Sequence, residues 1–190
     1  MRIGIIGAMQ QEIAVLLNEL QQTQCIEKGG RKFYEGILYE KEVVLVFSRW
    51  GKVAAATTAT QLILDFKVDL IIFTGVAGAL SRDIHVGDVV VGSRLYQHDM
   101  DARPLMPRFE IPLLRRSFFE SDAVYSQKAT QAINDVFKND LEFRQKLTDF
   151  GITSPIVMVG DVASGDKFVS SAKDKKEILT SLPSVACVEM

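Results

Sequence analysis

A carboxylate placed just after a glycine turn, at the end of an apolar run, can face a ligand site at the strand's exit, and this chain carries one at Glu12. The segment Gly4-Ile5-Ile6-Gly7-Ala8-Met9-Gln10-Gln11-Glu12 reads as a strand, a tight turn and the first turn of a helix. Ligands of α/β folds bind at such carboxyl ends of strands, and the helix dipole favours a carboxylate in that first turn. The pattern alone also suits a carboxylate that only stabilises a helix start. It lacks the third glycine of the dinucleotide fingerprint.

Three further segments could carry chemistry. Phe73-Thr74-Gly75-Val76-Ala77-Gly78-Ala79 is an apolar strand opening into a loop of small residues. Such a loop lets a flat ligand lie against the backbone, though any tight strand exit shares the pattern. In Ser164-Gly165-Asp166-Lys167-Phe168-Val169, the Phe168 ring could stack on a base or fill a core beside a turn. In His98-Asp99-Met100-Asp101 the only other histidine that could join is His85, so the segment reads as loop-ordering and no metal is expected. No Ser/His/Asp or Cys/His arrangement and no Walker loop is legible.

The elements that must position these groups alternate. Strands are expected at Arg2 to Ile6, Lys32 to Tyr39, Glu42 to Ser48, Asp69 to Thr74, Val86 to Val91, Pro155 to Val159 and Val185 to Val188. The second and third form a hairpin turning at Glu40-Lys41. Helices are expected at Gln10 to Gln21, with the stripe Ile13, Leu16, Leu17 and Leu20, and at Gly51 to Phe66, with Ala55, Ala59, Leu62 and Phe66. Ala123 to Phe150 and Ala172 to Thr180 read as helical too. Near-continuous apolar strands between helices argue for an α/β fold with a covered sheet. The segment from Tyr96 to Asp122, with three prolines, breaks the rhythm and reads as a functional or interfacial loop.

Length and composition narrow the function classes. The 190 residues suit one domain, and 47% hydrophobic with 24% charged residues suits a globular protein. A formal charge of −2 gives no global pull toward nucleic acid or an anionic membrane, and no nucleic-acid module is legible. Cys25 and Cys187 lie far apart in no metal-like spacing. The short apolar N-terminus suits neither a signal sequence nor a membrane span, so the expected location is cytoplasmic.

Taken in order, seven segments resemble one family. They are Gly4 to Met9 with Glu12, Gly51 to Ala56, Thr74 to Gly78, Val86 to Val91, His98-Asp99, Ser164 to Asp166 with Phe168, and Val188-Glu189-Met190. The chain is similar to the methylthioadenosine/S-adenosylhomocysteine nucleosidases of the purine nucleoside phosphorylase superfamily. The resemblance implies one nucleoside phosphorylase-like domain over residues 1–190, three-layered, with a central mixed twisted sheet flanked by helices. It implies hydrolysis of the N-glycosidic bond of 5′-methylthioadenosine and S-adenosylhomocysteine, with release of adenine; some members also cleave 5′-deoxyadenosine or aminofutalosine. No cofactor is implied.

By the same resemblance Glu12 is the water-activating carboxylate, and Ala8 and Met9 beside it are substrate-binding. Met9 and Trp50 border the 5′-substituent, and Val76, Ala77 and Gly78 line the purine and ribose region. Phe168 stacks on adenine, the Val169 backbone reads the purine edge, and Met190 approaches the ribose. The family is dimeric, so a homodimer is expected, with the segment from Tyr96 to Asp122 at the interface or over the pocket mouth.

Three departures qualify the match. Trp50 stands where the family often has isoleucine, and Val76 where it often has serine. Superfamily phosphorylases carry Arg-x-Gly-Ser-x-Gly, whereas this chain has Phe73-Thr74-Gly75-Val76-Ala77-Gly78. Without those donors a phosphate dianion is poorly held, so hydrolysis is expected over phosphorolysis. The family also follows Val-Glu-Met with a ribose-binding glutamate and, later, a Ser-Asp pair. The chain is therefore expected to be C-terminally incomplete relative to the family, and the alternative is an impaired fragment that only binds ligand or a partner subunit.

Overall fold

The apolar N-terminal run forms strand β1, Arg2–Gly7, in a computed structural model that describes residues 1–190. Strand β1 belongs to the first of two compact units, Met1–Val76 with Met190; the second is Ala77–Glu189.

In the first unit β1 is followed by α1 (Gln10–Glu19), β2 (Gln21–Lys28), β3 (Arg31–Leu38), β4 (Lys41–Phe47), α2 (Lys52–Leu64) and β5 (Leu70–Phe73). The sheet order is β2-β3-β4-β1-β5, with β1 parallel to both β4 and β5 and the other pairs antiparallel. Both faces of β1 are covered. Ile6 packs with Phe33, Val44, Val46, Leu62 and Phe66, while Ile5 packs with Leu20, Leu38, Val43 and Leu45. Each fully buried side chain of this kind contributes about 1.5–3 kcal/mol. A one-residue slip of β1 would exchange its faces and forfeit both sets, which is what sets the register.

Sequence and structure differ here in three places. Helix α1 stops at Glu19 because Leu20 leaves helical geometry (φ −69°, ψ 120°) and the chain enters β2. Strand β2 was not expected, since its side chains are nearly all exposed and show no apolar alternation. The hairpin turns at Tyr39-Glu40, one residue earlier than expected. Both residues have positive φ (47° and 62°), as a two-residue turn matched to the sheet twist requires.

The second unit contains β6 (Gly78–Ala79), β7 (Val89–Gln97), β8 (Phe118–Glu120), α3 (Ala123–Asn139), α4 (Leu141–Asp149), β9 (Val157–Ser164), α5 (Ala172–Ser181) and β10 (Val185–Glu189). Its order is β6-β10-β9-β7-β8, with β7, β9 and β10 parallel. The α/β class with mixed sheets flanked by helices is as expected, and the strands are shared between two five-stranded sheets. Leu80, Tyr96, Ala163, Ile178, Leu182, Val185 and Val188 form this unit's core under α5.

The strand expected at Val86 begins only at Val89. Gly87 (φ 100°) turns the chain, and the Asp88 carboxylate accepts from the His85 and Ile156 N–H groups at 2.7 and 2.9 Å. The long helix expected at Ala123 to Phe150 breaks at Asp140, which closes α3 and caps α4 by accepting from the Phe143 N–H. In the segment from Tyr96 to Asp122, Ile111 is buried and Phe109 and Phe118 pack on the core, but Leu105 and Leu113 are 90% and 95% exposed. No helix is long and apolar enough to cross a membrane.

One buried charge organises the second sheet. Asp161, in the middle of β9, accepts from Arg94 Nε and Nη2 at 2.9 and 2.6 Å, from Ser93 Oγ at 2.9 Å and from Ser184 Oγ at 2.8 Å. These donors join β7 and the β10 approach to β9. Burial pushes the Asp161 carboxyl up, but the bonds from Arg94, Ser184 and Ser93 outweigh it and hold the group below the ordinary carboxylate range. A carboxylate depressed on folding adds stability at neutral pH, and that stability drains away as pH falls from about 4 through the folded-state value. Asp161→Asn should therefore lower stability at pH 7 by about 1–3 kcal/mol and flatten the acid limb of a stability-against-pH curve from denaturant melts. An unchanged acid limb would contradict this.

Candidate functional site

In the first unit the expected site residues gather where β1 ends. Strands β4 and β5 flank it: the Ser48 N–H donates to the Gly7 carbonyl at 2.9 Å, and the Thr74 N–H to the Ile6 carbonyl at 3.0 Å. The chain then turns through Ala8 and Met9, both half-buried, into α1. Met9 caps α1 in extended geometry (φ −129°, ψ 150°), which places Glu12 in the third helical position.

Glu12 is held by backbone donors on two elements. Its Oε2 accepts from the Met9 N–H at 2.8 Å, the glutamate half of a capping box. Its Oε1 accepts from the Val76 N–H at 3.0 Å, just past β5. The helix-start reading of Glu12 is thus seen directly, with a second bond from the exit of β5 added to it. An ionised carboxylate has about four acceptor positions, so two N–H bonds fix its orientation and leave capacity for a water molecule. The neighbouring Gly7 has no room for a side chain, since a Cβ there would stand 2.7 Å from Ile13 Cγ2 and 3.2 Å from Glu12 Cβ.

The loop from Ser48 to Gly51 sits at the end of β4. The Ser48 hydroxyl, fully buried, donates to the Arg49 carbonyl at 2.8 Å, and Arg49 Nη2 donates to the Gly30 carbonyl at 2.7 Å. Arg49 and Gly51 both take positive φ (72° and 88°). This pinned backbone presents the Trp50 indole 65% exposed. Val76 is exposed, and Met190 is half-buried and groups with this first unit.

In the second unit Ala77 is exposed and Gly78 pairs with Val188 in the β6–β10 ladder. A Cβ at Gly78 would meet only ordinary contacts, the nearest at 3.6 Å, so packing does not demand glycine there. The segment from Ser164 to Ser171 is tied at both ends. The His98 N–H donates to the Ser164 carbonyl at 3.0 Å, and the Asp166 N–H donates to Asp99 Oδ2 at 2.9 Å. The His98 ring lies close to Gly165, where a Cβ would collide with its Nε2. Lys167 pairs with Asp174 at 2.6 Å, and Ser171 caps α5. Between these ties Phe168 is 78% exposed while Val169 packs on the core. The ring is therefore exposed and is not the core residue that its pattern alone favoured.

His98 and Asp99 thus order the loop that carries Phe168, the role read for them from sequence. No group of three His, Cys, Asp or Glu side chains converges as a metal site would require. Two features escaped the sequence reading. From sequence Val76 is a lining residue that lacks the family's hydroxyl, yet its backbone N–H holds Glu12. The Asp161 cluster joins residues 93, 94, 161 and 184, a set no local spacing reveals.

Residues 2–190 match the family model described as the phosphorylase superfamily. A Staphylococcus aureus 5′-methylthioadenosine/S-adenosylhomocysteine nucleosidase is 38% identical over 189 residues, which span 99% of this chain and 75% of that protein. The fold is similar to the nucleosidase of Colwellia psychrerythraea in complex with adenine (TM-score 0.87, 31% identity, 100% of this chain and 72% of that one). It is similar to the Neisseria meningitidis nucleosidase in complex with methylthio-immucillin-A (TM-score 0.85, 33% identity, 100% and 75%). A Helicobacter pylori futalosine hydrolase mutant also matches (TM-score 0.82, 30% identity, 100% and 77%).

Proposed function

The chain belongs to the 5′-methylthioadenosine/S-adenosylhomocysteine nucleosidase family of the phosphorylase superfamily, and we propose that it hydrolyses the N-glycosidic bond of these two nucleosides, releasing adenine. The observation that carries the reading is Glu12, oriented by the Met9 and Val76 N–H groups with acceptor capacity to spare. As the bond to adenine breaks, positive charge grows on the sugar. A carboxylate there stabilises that charge and takes a proton from the attacking water. The water oxygen ends on the sugar carbon, and a proton ends on the departing purine.

Hydrolysis fits the loop chemistry better than phosphorolysis. Residues 73 to 78 contain no cation and no serine hydroxyl to grip a phosphate dianion. The exposed ring of Phe168 suits the stacking role on adenine, and its neighbour Val169 can offer backbone groups to the purine edge. Trp50, exposed on a pinned loop, suits the role of bordering the 5′-substituent, with Met9. Ala8, Val76, Ala77, Gly78 and Met190 keep the ligand-lining roles that the resemblance gives them. We also propose a homodimer, supported by the exposure of Leu105, Leu113, Leu114 and Phe119 within the segment from Tyr96 to Asp122.

Two measurements test this. Glu12→Gln keeps the size and removes the basicity, so adenine release from methylthioadenosine should fall about 10²–10⁴-fold; undiminished release would remove Glu12 from the mechanism. Light scattering at micromolar concentration should give twice the 21.1 kDa chain mass, and a monomer there would refute the dimer.

A further inference from the structure

Gly75 lies between the end of β5 and Val76, and its backbone is outside the left-handed region, so its conformation alone does not call for glycine. Its surroundings do. A Cβ at this position would stand 2.8 Å from Glu12 Oε1 and 3.0 Å from both Glu12 Cδ and Oε2. The three nearest atoms thus all belong to one carboxyl group. The next residue supplies the N–H that holds Oε1 at 3.0 Å. The carboxylate lies on the Gly75 backbone and is clamped by Val76.

From this geometry we infer that Gly75 is a positioning residue for Glu12, an inference that rests on the reading of Glu12 as the proton acceptor. A methyl at position 75 occupies the volume of the carboxyl group. The Glu12 side chain is flexible at that end and swings away, which breaks its bonds to the Met9 and Val76 N–H groups. The fold tolerates this, because what moves is the tip of one half-buried side chain. Gly7 differs: a Cβ there presses first on Ile13 Cγ2, at 2.7 Å, so a substitution strikes the α1 packing and reports on the core. Position 75 separates carboxylate placement from folding.

The test compares wild type, Gly75→Ala, Glu12→Ala and the double variant. ¹⁵N NMR follows the Met9 and Val76 amides, and adenine release from methylthioadenosine gives the kinetics. In Gly75→Ala both amide protons should move to the positions they take in Glu12→Ala, and the double variant should add nothing. Its kcat should fall about 10²-fold with KM within about threefold, because a loss confined to the reacting centre lowers kcat and spares substrate binding. Gly75→Ser, with the same Cβ, repeats the result. Amides and kcat that stay at wild-type values in Gly75→Ala overturn the proposal and leave Glu12 as the base. Amides that move while kcat is unchanged in both Gly75→Ala and Glu12→Gln overturn the reading of Glu12, and the positioning role falls with it.

Discussion

The Glu12 carboxylate is held by two backbone N–H groups that come from different places in the chain, the start of α1 and the exit of β5. Neither donor depends on a side chain. What the arrangement does require is that β5 lie beside β1, so that the segment after each strand reaches the same carboxylate. The parallel pairing of Ile3 to Ile6 with Leu70 to Phe73 supplies that. The pairing in turn depends on β1 being buried on both faces, which fixes its register to the residue. An error of one position there would move Gly7, the turn and Glu12 together.

Backbone donors suit this task. A charged side-chain partner such as arginine would take up both carboxylate oxygens in a bidentate pair. Two neutral N–H bonds orient it without adding a neighbouring cation. The contrast within the same molecule is Asp161, which is buried, bonded to Arg94 and two hydroxyls, and driven below the ordinary carboxylate range. That group joins strands through side-chain donors; Glu12 is oriented by main-chain donors alone. Phe168 shows the matching device for an aromatic: ties at Asp166 and Ser171 leave the ring itself uncovered.

Much of this was legible in the sequence, and the reasons for the exceptions are physical. Strand β1 announced itself as an apolar run because both its faces are buried, helices α1 and α2 by the stripe that burial of one face imposes, and Glu12 because it follows a glycine turn. Strand β2 was invisible because an exposed edge strand of polar residues has no period to show. The hairpin was placed one residue late because Tyr39 and Glu40 adopt positive φ without the glycine or asparagine that normally marks such a turn. The break at Asp140 was hidden inside a stretch of good helix formers, where one residue serves both sides, its N–H closing α3 on the Val136 carbonyl and its carboxylate capping α4. Backbone donors, as at Val76, leave no trace in residue type at all.

The central claim is that Glu12, still bonded to the Met9 and Val76 N–H groups, holds the attacking water against the sugar. A crystal structure of the protein with a non-cleavable adenine nucleoside analogue tests this directly. The account predicts one ordered water within hydrogen-bond reach of a Glu12 carboxylate oxygen, about 3 Å, on the sugar face opposite the purine. A carboxylate swung into bulk solvent with the nucleoside bound, and no water between it and the sugar carbon, would contradict it.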